Sequence, residues 1–136
     1  MLVVDASVAV KFVAQEDGSD AAYEIVDGPE VLIALDWTLV EVASALWKKV
    51  KFSRLLAVHA EDNLDCLPKL FERLYPAEPL LAESLKLAFR LRHPIYDCLY
   101  LALAIREDAD VITADREFHR ACQASVWKDR VHLLKW

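Results

Sequence analysis

Gly28-Pro29-Glu30-Val31-Leu32-Ile33-Ala34-Leu35 places five apolar residues in a row one residue after a glycine–proline stop. A run this short and this uniformly apolar is what a β-strand covered on both faces looks like, and such strands belong to parallel sheets. Two further runs share its character, Leu2-Val3-Val4-Asp5 before it and Val111-Ile112-Thr113 well after it. Between and around them the apolar residues change to helical spacing. Ala6 to Ala14 predicts a helix, Asp17 to Val26 a second, and Thr38 to Val50 a third with a stripe at Leu39, Val42, Ala43, Leu46 and Val50. Ser53 to Cys66, Ala77 to Leu91, Ile95 to Glu107 and Arg116 to Ala124 read as helices as well, Leu70 to Tyr75 as a short strand and Val131 to Leu134 as a last one. Strands alternating with helices predict an α/β fold, a three-layer α/β/α sandwich around a central parallel sheet.

The chain of 136 residues has the size of one domain, 1–136, with enough length to bury a core. Its hydrophobic fraction of 56% and mean hydropathy of +0.20 argue against a disordered tail protein. No repeat of solenoid or propeller period is visible. Every apolar run is broken by polar residues well before it could cross a bilayer, and the first residues lack the basic and apolar regions of a signal peptide. The cysteines Cys66, Cys98 and Cys122 are odd in number and form no CxxC pair, which suits reduced thiols. A cytoplasmic protein is therefore expected. The net charge of −6 runs against the basic balance usual in nucleic-acid enzymes.

Sheets of this kind bind ligands beyond the carboxyl ends of their strands. Asp5 closes one predicted strand and Asp115 lies just past another. Glu41 and Asp97 also fall near predicted helix starts. Each acid has a structural explanation: Asp5 and Asp115 as helix caps, Glu41 in a Thr38-x-x-Glu41 capping box, Asp97 as a favourable charge in a first helical turn. As a set they say more. Carboxylates gathered at one sheet edge repel one another, and either some take up protons or a divalent cation neutralises them. Oxygen ligands favour Mg²⁺ or Mn²⁺ over zinc. His59, His93, His119 and His132 are scattered along the chain and are read as surface or capping residues.

Four segments carry a family resemblance: Val3-Val4-Asp5-Ala6-Ser7, Glu41-Val42-Ala43-Ser44-Ala45-Leu46, Tyr96-Asp97-Cys98-Leu99-Tyr100-Leu101-Ala102-Leu103-Ala104 and Thr113-Ala114-Asp115-Arg116-Glu117-Phe118. In this order they resemble the signature blocks of PIN-domain ribonucleases, and among these the VapC-type toxins of type II toxin–antitoxin pairs. Ser44 departs from the asparagine common there, and Arg54 to Leu91 matches only in helical character. The resemblance implies an Mg²⁺ (or Mn²⁺) site built by Asp5, Glu41, Asp97 and Asp115, hydrolysis of structured RNA to a 5′-phosphate and a 3′-hydroxyl, a homodimer, and inhibition by a small VapB-like antitoxin.

In that setting Asp5 and Asp97 are expected to be the principal ligands. Glu41 and Asp115 would bind through water, hold a second ion or orient the attacking water. Thr113 is placed to hydrogen-bond a ligand carboxylate. A bound cation also offsets much of the formal negative charge. RNA contacts are expected from Arg116, Lys11 and the Lys48-Lys49-Lys51-Arg54 cluster, whose lysines equally suit a solvated helix end. Trp37 and Trp47 on the Glu41 helix fit either the core or an interface. The competing readings are a PIN-like RNA-processing nuclease without toxin role, a Mg²⁺-dependent phosphotransfer domain, and a non-catalytic binding module. The phosphotransfer reading wants paired acids at the first strand end, where Asp5 stands alone.

Overall fold

The structure, a computed structural model, describes residues 1–136. Its strands are β1 (Leu2–Val4), β2 (Leu32–Leu35), β3 (Arg73–Tyr75), β4 (Asp110–Thr113) and β5 (Val131–Leu133). Its helices are α1 (Ala6–Val13), α2 (Ser19–Val26), α3 (Asp36–Lys51), α4 (Ala57–Cys66), α5 (Leu81–Leu91), α6 (Ile95–Glu107) and α7 (Arg116–Gln123), with 3-10 turns at Leu67–Leu70 and Glu78–Leu80. All pairings are parallel, in the order β3-β2-β1-β4-β5. Val3 stands between Ile33 and Val111 in register, so β1 is the centre of the sheet.

Because neighbouring strand residues point to opposite faces, the buried strand residues divide into two cores. Val3, Ile33, Leu35, Val111 and Val131 pack with α6, Leu80, Leu87, Phe118 and Cys122. Val4, Leu32, Ala34 and Ile112 pack with α1, Ala22, Val42 and Leu46 on the other side. The three layers expected from the alternation of elements are thus present. In α6 the run Cys98 to Ala104 is buried on every side, which is why it shows little helical amphipathicity in sequence. Burial pushes the Cys98 and Cys122 thiols up to about 11 and about 12, so both act as apolar filler.

Several boundaries differ from the sequence-based expectation. Helix α3 starts at Asp36 rather than Thr38, and the Thr38 hydroxyl accepts the Leu35 amide at 3.1 Å. Glu41 therefore lies in the second turn and takes no part in a capping box. The helix expected from Ser53 starts only at Ala57, after a turn with Ser53 in the left-handed region at φ 59°. The strand expected at Leu70 is confined to Arg73–Tyr75. The helix expected from Ala77 opens as a 3-10 turn containing Pro79 before α5 begins.

Candidate active site

The chain leaves β1 for β2 and β3 on one side and returns to β4 and β5 on the other. The crevice where that direction changes, past the carboxyl ends of β1 and β4, is where open α/β sheets collect ligands. Asp5 ends β1 there and caps α1, accepting the Val8 amide at 3.1 Å on Oδ1. The same oxygen accepts the Ser7 hydroxyl at 2.6 Å, and the Thr113 hydroxyl donates to Oδ2. Ser7 and Thr113 are themselves tied to the turn after β4: the Ala114 amide donates to Ser7 Oγ at 2.8 Å and the Asp115 amide to Thr113 Oγ1 at 3.0 Å. Two strand ends are thereby locked together through one buried carboxylate.

Asp115 caps α7, with Oδ1 accepting the Glu117 and Phe118 amides at 2.9 and 3.2 Å. Asp97, in the first turn of α6, has its Oδ2 2.6 Å from His93 Nε2. Glu41 on α3 accepts the Tyr100 hydroxyl at 2.7 Å on Oε1. The pattern repeats: in Glu41, Asp97 and Asp115 one oxygen is held by the protein and the other meets no donor of the chain. None of these spare oxygens is a buried unsatisfied atom. They are open to whatever enters the crevice.

Asp97 is the hub of the group. Burial raises the carboxyl of Asp5 from 3.8 to about 7, and the charge of Asp97 adds to the rise. Burial and Asp97 likewise raise Glu41, against the pull of the Tyr100 hydrogen bond. Asp97 itself is raised by burial and by Asp115, with the His93 hydrogen bond opposing. Tyr100, buried and facing Glu41, is held well above the usual phenol range and so donates at any working pH. Acids that cost this much to ionise together form a natural cation site.

His93 is a correction to the sequence reading, which set the histidines aside. His93, Asp97 and Asp115 can bring one ligand atom each within 4.8 Å of one another. The His93 ring also packs against buried Phe118, 5.4 Å between centroids. Its spacing to Asp97, one helical turn, was visible in sequence, but Pro94 between them concealed that both side chains share one face. Ser7 and Tyr100 were also missed as partners of the acids. They lie inside the quoted sequence blocks, yet nothing local distinguishes a hydroxyl that serves a carboxylate from one that does not.

The basic residues divide. Lys11 is buried, with Nζ 3.0 Å from Glu16 and 2.6 Å from the Asp17 carbonyl, and it lies over the Trp136 ring. Lys49 meets the same Glu16 at 2.5 Å, and Lys51 lies over Trp47 and Phe52. Lys11 is therefore a buried cation held by the protein itself, sharing the Glu16 carboxylate with Lys49. Lys48 forms no ion pair and lines the cleft that contains Glu41. Arg116 is exposed beside Asp115.

A family model of the PIN domain matches residues 2–124. The chain belongs to the PIN-domain family. Among curated relatives of this PIN domain, Ribonuclease VapC3 of Pyrobaculum aerophilum is 31% identical over 118 residues, 85% of this chain and 90% of the relative. Ribonuclease VapC1 of Mycobacterium tuberculosis is 33% identical over 121 residues, 83% of this chain and 84% of the relative. Two crystal structures share the PIN fold. One from Pyrobaculum aerophilum superposes with a TM-score of 0.70 at 26% identity, covering 88% of this chain and 78% of the other. Mycobacterium tuberculosis VapC20, described as a sarcin–ricin loop cleaving toxin, superposes with a TM-score of 0.69 at 15% identity, covering 89% and 95%. No helix of this PIN domain is long and apolar enough to cross a membrane.

Proposed function

We propose that the chain is an Mg²⁺- or Mn²⁺-dependent endoribonuclease of the VapC toxin kind, with Asp5, Glu41, Asp97 and Asp115 as its acidic site. The observation that carries this reading is the set of spare carboxylate oxygens in the crevice between β1 and β4, all coupled through Asp97. Carboxylate oxygens of this number suit a hard divalent ion. When bound, such an ion supplies an ionisable water and offsets charge on the phosphoryl oxygens.

The chain's own residues do the rest. Ser7 and Thr113 fix Asp5, the α7 amides fix Asp115, Tyr100 fixes Glu41, and His93 sets the rotamer of Asp97. Tyr100, His93 and the α7 amides each hold one oxygen so that the other keeps its aim, whereas Asp5 is gripped on both. Arg116 and Lys48 flank the crevice and are assigned to backbone phosphates of the RNA. The same proposal includes a VapB-like antitoxin, for which the likeness to VapC relatives is the support, together with a homodimeric state and a cytoplasmic location.

The test is induced expression of wild type beside Asp97→Asn, scoring growth and the integrity of cellular RNA. Arrest with broken RNA is expected for wild type and neither for the variant. Equal effects from both remove the catalytic assignment. Purified wild type should lose cleavage on chelation and regain it with Mg²⁺ or Mn²⁺.

A further inference from the structure

Beside Glu41 lies an open cleft of about 610 Å³, walled by Trp37, Glu41, Ser44, Lys48 and Tyr96 over the apolar side chain of Val40. The volume is in the range of about 300–1,000 Å³ that small-ligand clefts occupy. Its aromatic wall has a defined geometry. The rings of Trp37 and Tyr96 are nearly parallel, 13° between planes, with centroids 6.3 Å apart. That is an offset stack, too close to admit a third ring between them. Trp37 is half-buried and packed against the core, whereas Tyr96 is 55% exposed. The pair thus presents one free flat face, that of Tyr96, backed by a ring that cannot yield. The Tyr96 hydroxyl has no partner in the chain, and the Trp37 indole N–H is the single buried side-chain donor without one. No internal hydrogen bond explains why these two rings stand here.

Their positions relative to the acids do. Tyr96 directly precedes Asp97 at the start of α6, and Trp37 precedes Glu41 by one turn of α3. Lys48, two turns beyond Glu41, carries an unpaired cation on the same cleft. Along α3 the order is aromatic pair, Glu41, Lys48, which matches a stacked base, the reacting phosphate and a backbone phosphate on the far side of the cut.

We propose that Tyr96, backed by Trp37, is a stacking platform for an unpaired base of the RNA next to the bond that is cut, with Lys48 on a backbone phosphate beyond the cut. This inference rests on the ribonuclease reading. Single-stranded RNA is commonly held by stacking on aromatic faces together with cationic contacts to its backbone. The platform favours a substrate in which the cut lies in a loop or single strand, since a base inside a duplex has no free face to offer.

The test uses Asp97→Asn protein, which should bind without cutting, and a labelled single-stranded RNA pool of random sequence at low salt. Adding Tyr96→Ala should weaken binding about tenfold, in line with stacking energies, while Tyr96→Phe restores it because the ring and not the hydroxyl is required. A ribose–phosphate strand of equal length without bases should bind both proteins equally weakly. Thermal melting of each variant checks that the fold is kept. The proposal is overturned if Tyr96→Ala binds the RNA as well as its parent, if Tyr96→Phe is as damaging as Tyr96→Ala, if the baseless strand shows the same loss, or if Asp97→Asn binds no RNA. Unchanged RNA binding with lost capture of a protein partner also overturns it and assigns the shelf to that partner. Failure of the nuclease reading looks different: RNA is bound through Tyr96, but the wild type cuts none of it.

Discussion

Asp5 is the residue on which fold and chemistry meet. It is buried, holds the ends of β1 and β4 through Ser7 and Thr113, and is expensive to ionise. A folded state that binds a proton more tightly than the unfolded chain loses stability as pH rises between the two pKa values. For Asp5 that window runs from 3.8 to about 7, and Glu41 and Asp97 shift in the same direction. Glu16 opposes them: burial raises it, but the hydrogen bonds from Lys49 and Lys11 prevail and lower it. Metal-free protein should therefore melt at a lower temperature at pH 8 than at pH 5.5. Asp5→Asn should flatten that slope and abolish RNA cleavage, which calorimetry and an RNA assay would check together. Thr113→Val removes one donor to Asp5 while keeping a β-branched strand residue. It should cost about 1–3 kcal/mol of stability and weaken Mg²⁺ binding about 10–100-fold, read by denaturant melts and metal titration.

At the level of elements, Asp115 does two jobs that can be separated. As the α7 cap it needs only an acceptor oxygen for the Glu117 and Phe118 amides. As a candidate ligand it needs its charge. Asp115→Asn keeps the acceptor, so its melting temperature should stay close to wild type while cleavage is lost. Asp115→Ala should lose cleavage and also about 0.5–2 kcal/mol of stability. If Asp115→Asn cleaves RNA normally, the residue is a cap and nothing more. Elements also show where the sequence was hard to read. The chain contains 2 glycines, so α5 and α6 end on Arg92 and Asp108 in the left-handed conformation, φ 52° and 51°. Neither residue type announces a helix end as glycine does. Residues 52–80 were placed least well because their turns rely on Ser53 and on 3-10 geometry, which leave no clear pattern.

For the molecule as a whole, the charge of −6 and the crowded acids make the same demand. A cation in the crevice offsets the repulsion that raises Asp5, Glu41 and Asp97. Mg²⁺ or Mn²⁺ should stabilise the fold by about 2.7 kcal/mol at a hundredfold excess over Kd, and so raise the melting temperature in a concentration-dependent way. The gain should be larger at pH 8 than at pH 6, because binding must displace protons from the raised carboxyls. Asp97→Asn should show little of it. Calorimetry at two pH values decides the matter, and an equal gain in wild type and variant would mean the ion binds elsewhere.

Local pattern was sufficient for the layers of this protein. Runs such as Val31–Leu35 and the stripe of α3 report burial directly, since the period of the apolar residues follows from backbone geometry alone. The four acids were legible too, because strand ends and helix starts are local features and their side of a parallel sheet follows from its topology. That Asp97 couples to the other acids, that His93 grips Asp97, that Lys11 and Lys49 meet at Glu16 while Lys48 forms no ion pair, and that Trp37 backs Tyr96 were decided only by the packed chain. Those facts depend on distances between segments far apart along the backbone, and no local periodicity encodes a distance of that kind.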